Sequence, residues 1–121
     1  MTVESLRDFC LGLPGTYLDF PFDDTTMTVK VGPHGRGKMF ALAAVDGSPP
    51  SVNLKCDPSL ARDLRSAYPL SIVPGRHMNK EHWNTVVIDG ELDEAFVKKL
   101  IVHSYELVVA GLPRRDRPRS A

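Results

Sequence analysis

Apolar residues recur at helical spacing over residues 3–13, where Val3, Leu6, Phe9, Cys10 and Leu13 share one stripe. Thr2 stands where an N-cap is needed, Glu4 suits the positive end of the helix dipole, and Leu13-Pro14-Gly15 stops the run. From residue 16 to residue 56 the period drops to two. Tyr17-Leu18-Asp19-Phe20 is a short strand broken by Pro21, and Met27, Val29 and Val31 alternate with Thr26, Thr28 and Lys30. The glycine-rich turn 32–37 leads into Lys38–Val45, apolar on both faces and so expected at the centre of a sheet. Ser51–Cys56 alternates again, with Val52, Leu54 and Cys56 inward and Ser51, Asn53 and Lys55 outward. Asp57-Pro58 then opens a helix with Leu60, Ala61, Leu64, Ala67 and Tyr68 on its apolar face and Arg62, Asp63 and Arg65 on the other. Ser71-Ile72-Val73 is a short strand, Thr85–Ile88 ends a second one, and Asp93 to about Gly111 is the longest helical pattern.

Consecutive strands joined by short turns predict an antiparallel sheet with the helices packed on one face, an α+β fold. Residues 1–113 form one domain on this reading, and 114–121 a basic, disordered tail. A sheet covered on one side leaves the other open. Thr28, Lys30, Asn53 and Lys55 point to that open face, small polar and basic groups without an acidic one among them.

Charge adds a polarity along the chain. The net charge is zero, which argues against a protein that coats polyanions over its whole surface. The start is acidic, and four arginines fall in the six residues 114–119. No apolar run approaches the roughly 20 residues that span a bilayer. Nor does Met-Thr-Val-Glu-Ser open like a signal peptide, so a cytoplasmic location without membrane contact is expected. Two cysteines without a ligand spacing predict no disulfide framework, no zinc knuckle and no cofactor.

The chemistry-bearing residues concentrate between Pro74 and Asn84. This stretch holds two of the four histidines, the single tryptophan, Arg76, Lys80 and two asparagines. His77 and His82 have four residues between them rather than the three that align ligands on one helix face, so hydrogen-bonded histidines are preferred to a metal site. Cys10 and Cys56 point inward, Ser104 lies on a helix stripe beside core residues, and the turn 32–37 matches neither nucleotide-binding fingerprint. These residues assemble no catalytic set, and the chain is expected not to be an enzyme.

Several of these motifs occur in one order. Leu-Pro-Gly at 13–15, Pro21-Phe22, Lys38-Met39-Phe40-Ala41, Val52–Pro58, His77-Met78-Asn79-Lys80-x-His82-Trp83-Asn84 and Ser104-Tyr105-x-Leu-Val together resemble the MmcQ/YjbR family over residues 3–112. The resemblance implies a double-wing fold related to the CyaY (frataxin-like) architecture, and it implies DNA binding. Glu81 stands where that family often has a lysine, which leaves the block less basic. On this reading Lys30, Lys38, Lys55, Arg76 and Lys80 contact phosphates, and Asn53, Asn79 and Asn84 reach base edges. His77 and His82 belong to the same surface, while Trp83 either stacks on a base or plugs the core. Zero net charge predicts weak, salt-sensitive binding by a monomer. The same face serves equally well for a protein-interaction or small-ligand-binding module.

Overall fold

The computed structural model describes residues 1–119. Its elements run α1 (Val3–Leu11), β1 (Thr16–Asp19), β2 (Thr26–Val31), β3 (Lys38–Ala44), β4 (Ser51–Lys55), α2 (Pro58–Ala67), β5 (Ile72–Pro74), β6 (Trp83–Val87) and α3 (Glu94–Gly111), followed by one 3-10 turn at Arg114–Asp116. The strands form a single sheet in the order β1-β2-β3-β4-β6-β5, every neighbouring pair antiparallel. The expected α+β class, with β3 well inside the sheet, is what the chain adopts.

Local chemistry accounts for the helix starts. Thr2 and Ser5 form a reciprocal capping box on α1, each side chain bonding the other's backbone N–H. Asp57 accepts from the Leu60 N–H at 3.2 Å, with Pro58 next to it in the first turn of α2. Helices α1 and α3 lie across β1 to β4, and α2 packs on β5. Leu6 and Cys10 of α1, Leu64 of α2, and Val97, Leu100, Ile101 and Val108 of α3 meet Val29, Val31, Val52, Leu54 and Val86 in the core. Burying one such side chain contributes about 1.5–3 kcal/mol, so this contact outweighs any single polar term.

Residues facing each other across a ladder share a face, and the registers define one row through all six strands: Asp19, Thr28, Leu42, Asn53, Thr85 and Val73. The next row, Leu18, Val29, Ala41, Leu54, Asn84 and Pro74, points to the helices. A bulge between Val29 and Lys30 inserts Phe40 opposite no partner, and its ring packs edge-on against Tyr105 of α3 with centroids 5.4 Å apart. Strands β3 and β4 pair only at Ala41–Leu54 and Leu42–Asn53. Beyond that point Ser104 of α3 bridges them: its hydroxyl donates to the Phe40 carbonyl at 2.6 Å and accepts from the Lys55 N–H at 2.9 Å. Ser104 is therefore a substitute rung of the sheet.

At the far edge, the Ser71 carbonyl accepts from Val87 N–H and Gly75 N–H donates to the Trp83 carbonyl, tying β5 to β6. The Ile72 N–H turns the other way and donates to the Tyr68 carbonyl at 2.8 Å.

Two expectations need correction. The face away from the helices is not simply open, because Thr28, Asn53 and Thr85 are all buried on it. The loop 20–25 and the loop 75–82 roof it in part. The tail expected to be disordered from 114 onward is instead ordered through Arg119. Arg117 donates to the carbonyls of Leu112 and Ala110 at 3.0 and 2.9 Å, a cation on the negative end of α3, and Asp116 takes an ion pair from Arg36 at 3.4 Å. The last two residues of that segment lie outside the described residues.

Candidate functional site

The 75–82 connection between β5 and β6 is a tightly bonded loop. Gly75 must be glycine, since a Cβ there would stand 2.8 Å from the Trp83 Cβ. His77 sits at φ 58°, a left-handed conformation that costs a non-glycine residue about 1–3 kcal/mol and recurs at functional loops. The Asn79 carboxamide accepts from the Glu81 N–H at 3.0 Å, and its carbonyl accepts from the N–H groups of His82 and Trp83.

Arg65 of α2, assigned by spacing to the solvent side, holds this loop from behind. Its Nε donates to Asn84 Oδ1 at 2.6 Å, and its terminal nitrogen donates to the carbonyls of Trp83, at 3.3 Å, and Lys80. No periodicity distinguishes it from Arg62; only the position of β6 against α2 does.

Of the eleven residues expected to touch DNA, five have side chains already engaged, Asn84 among them through Arg65. Lys30 is paired with Asp19 of β1 at 2.8 Å, so the face does carry an acidic group. That contact, chiefly the Lys30 hydrogen bond, holds the Asp19 carboxyl below its ordinary range. Asn53 is only 9% exposed and accepts through Oδ1 from the Thr85 hydroxyl. Thr85 in turn accepts from the Arg76 N–H at 3.1 Å. Lys80 donates to the Gly75 carbonyl, and Asn79 closes its own turn. His82 is half-buried and gives its carbonyl to the Cys56 N–H.

The remaining residues fall into two groups. Lys38, Lys55 and Trp83 line one shallow cavity with Met39 and the end of α3. Arg76 and His77, both exposed, border a second cavity of about 410 Å³ on the face away from the helices. Its walls are Phe22, Met39, Leu42, Ala43 and Met78, and its polar residues include Ser51, Asn53 and Thr85. Phe22 is 68% exposed, an aromatic ring left at the cavity mouth. Strand alternation placed Asn53 on this face, but Thr85 joins it only through the β4–β6 register, and Phe22 and Met78 only through the loops.

Burial pushes the Cys10 thiol up to about 12 and Cys56 up to about 11, so neither is a thiolate near neutral pH. His103 Nε2 accepts from the Asp57 N–H at 3.3 Å. Among the described residues no three His, Cys, Asp or Glu side chains converge as a metal-ligand set, and no helix is long and apolar enough to cross a membrane.

This arrangement has relatives. The YjbR family model matches residues 11–107. The chain is 40% identical to YbdF of Escherichia coli O157:H7 over 96% of its own length and 91% of that protein's. It is 33% identical to YjbR of Escherichia coli K12, over 97% and 95% of the two chains. Among solved structures it superposes on the Deinococcus radiodurans protein DR2400, a DUF419 domain, with a TM-score of 0.90 and 40% identity, covering 95% of this chain and 84% of that one. A Pseudomonas syringae protein matches with a TM-score of 0.74 at 27% identity, over 89% and 99%. The chain belongs to the YjbR family.

Proposed function

We propose that this protein is a non-catalytic binding module whose ligand is a small molecule held in the 410 Å³ cavity between the sheet and the 75–82 loop. The observation that carries this reading is the composition of that cavity: apolar walls, a few convergent polar groups, and a volume inside the range of small-molecule sites. The buried thiols, protonated at neutral pH, support the absence of nucleophilic chemistry. The module works as a cytoplasmic monomer and needs no cofactor. A fragment screen read by methyl chemical shifts tests it: compounds that bind move the Met39 and Met78 methyls. If every hit leaves those methyls unmoved, the cavity is not the site.

A second reading, weak and salt-sensitive DNA binding, keeps one observation in its favour. Lys38, Lys55 and half-buried Trp83 surround a single shallow cavity at the end of α3, cations beside a ring suited to stacking. Anisotropy titrations with single- and double-stranded DNA at low salt test it. Binding that falls steeply with salt and is lost in Lys38→Glu/Lys55→Glu supports it, and binding indifferent to both removes it.

A further inference from the structure

We infer that the cavity ligand is a small amphipathic anion, with an apolar body against the methionine-lined wall and a carboxylate or phosphate head on Asn53 and Arg76. This deepens the small-molecule reading and rests on it.

The first observation is the orientation of Asn53. Its side chain is nine-tenths buried and lines the cavity. The Thr85 hydroxyl accepts from the Arg76 N–H and so passes its own proton to Asn53 Oδ1. With the carboxamide oxygen taken by the Thr85 hydroxyl, the Nδ2 group has no hydrogen-bond partner among the described residues. That group is not fully buried, and within the cavity it is free to donate to water or to an acceptor on a ligand.

The second observation is charge. The Arg76 guanidinium is exposed at the cavity border and makes no ion pair or hydrogen bond among the described residues, while its backbone is held by Thr85. Among the described residues no carboxylate lines the cavity. Ser51 and His77 add a hydroxyl and an imidazole to the same border. The polar inventory is therefore donor-rich and cationic, which complements an anionic acceptor and disfavours a cation. The third observation is the body of the site. Met39, Met78 and Leu42 supply unbranched or flexible apolar surface that adapts to an alkyl or aryl group, and Phe22 stands ready to cover it.

The test follows the ligand in two halves. Octanoate and octyl phosphate carry both; 1-octanol carries only the body, and acetate only a head. Binding is read by NMR on the Asn53 side-chain amide pair and the Met39 and Met78 methyls, with affinities from the same titrations. The expected result is that octanoate or octyl phosphate moves all three sets of resonances and binds at least tenfold tighter than octanol, with acetate weaker still. Arg76→Gln should reduce the anions to the affinity of octanol and leave octanol unchanged. Comparing the two anions separates a carboxylate ligand from a phosphate one. Equal affinity for octanol and both anions overturns the anionic head while leaving the small-molecule cavity in place. No movement of the cavity resonances with any of the four overturns the amphipathic anion, and the fragment screen then decides the small-molecule reading by itself. Movement of the same resonances by a DNA duplex alone would also overturn the proposal and give this face to nucleic acid.

Discussion

Arg65→Met removes the guanidinium behind the 75–82 loop while keeping most of its aliphatic stem. Three acceptors lose their donor, but they do not lose it equally. The Trp83 carbonyl keeps the Gly75 N–H at 2.9 Å, and the Lys80 carbonyl belongs to an exposed residue that water can serve. Asn84 Oδ1 is different, because the residue is 2% exposed and its partner is Arg65 at 2.6 Å. One buried acceptor left unmade costs about 1–3 kcal/mol, and losing a charge-assisted bond places the total toward the upper half, about 2–3 kcal/mol. Urea unfolding should show this as a lower midpoint at unchanged slope, since the surface exposed on unfolding barely changes. Asn84→Leu alone leaves the guanidinium its two carbonyls and should cost less than Arg65→Met. The double variant removes both partners, so the two effects should fall short of additivity by about 1 kcal/mol or more. Additive effects within about 0.5 kcal/mol would mean that the bond is not coupled and that α2 does not hold the loop.

Ser104→Ala should destabilise the fold by about 2–4 kcal/mol in the same assay, because it strands both the Phe40 carbonyl and the Lys55 N–H where the β3–β4 ladder has already parted. A loss below about 0.5 kcal/mol would show that the strands close up without the bridge. Alkaline pH gives a third check. The two thiols ionise near 9 in the unfolded chain but only near 12 and 11 in the native one. Above pH 9 the native state therefore binds more protons than the unfolded state, and stability falls as pH rises, by up to about 1.4 kcal/mol per unit for each thiol. In Cys10→Ala the fall between pH 9 and 11 should be shallower; an unchanged slope would mean that Cys10 is not the buried acid.

Local signals placed the helices because their ends carry their own chemistry, as at Thr2 and at Asp57-Pro58. Period two placed the strands, and the row of turns predicted antiparallel pairing. What no local signal carries is register. Lys30 reads as a free cation until β1 pairs with β2 and brings Asp19 beside it. Asn53 reads as a surface amide until β6 sets Thr85 opposite it. Arg65 and Arg62 are equivalent by composition, and only the packing of α2 beside β6 separates an anchor from a solvated side chain. The bulge at Phe40 has the same origin: it lets the ring reach Tyr105, a partner far along the chain. The candidate surface was therefore visible as a set of polar residues, while its division into engaged and available groups arises from pairings between distant strands. The cavity depends on loop residues such as Phe22 and Met78, whose spacing repeats nothing.

The edge strand β5 has a consequence for how these molecules behave when crowded. Alternate backbone groups of an outer strand face away from the sheet, and an arriving strand needs donors among them as well as acceptors. On β5 those outward positions are Ile72 and Pro74. The Ile72 N–H is already spent on the Tyr68 carbonyl, and proline has none to give. An extended peptide or another copy's strand meets carbonyls alone along this rim. The protein thus keeps a cavity-bearing sheet face beside an edge that resists fibril-like growth, and a Pro74 substitution that restores an N–H would make that edge adhesive.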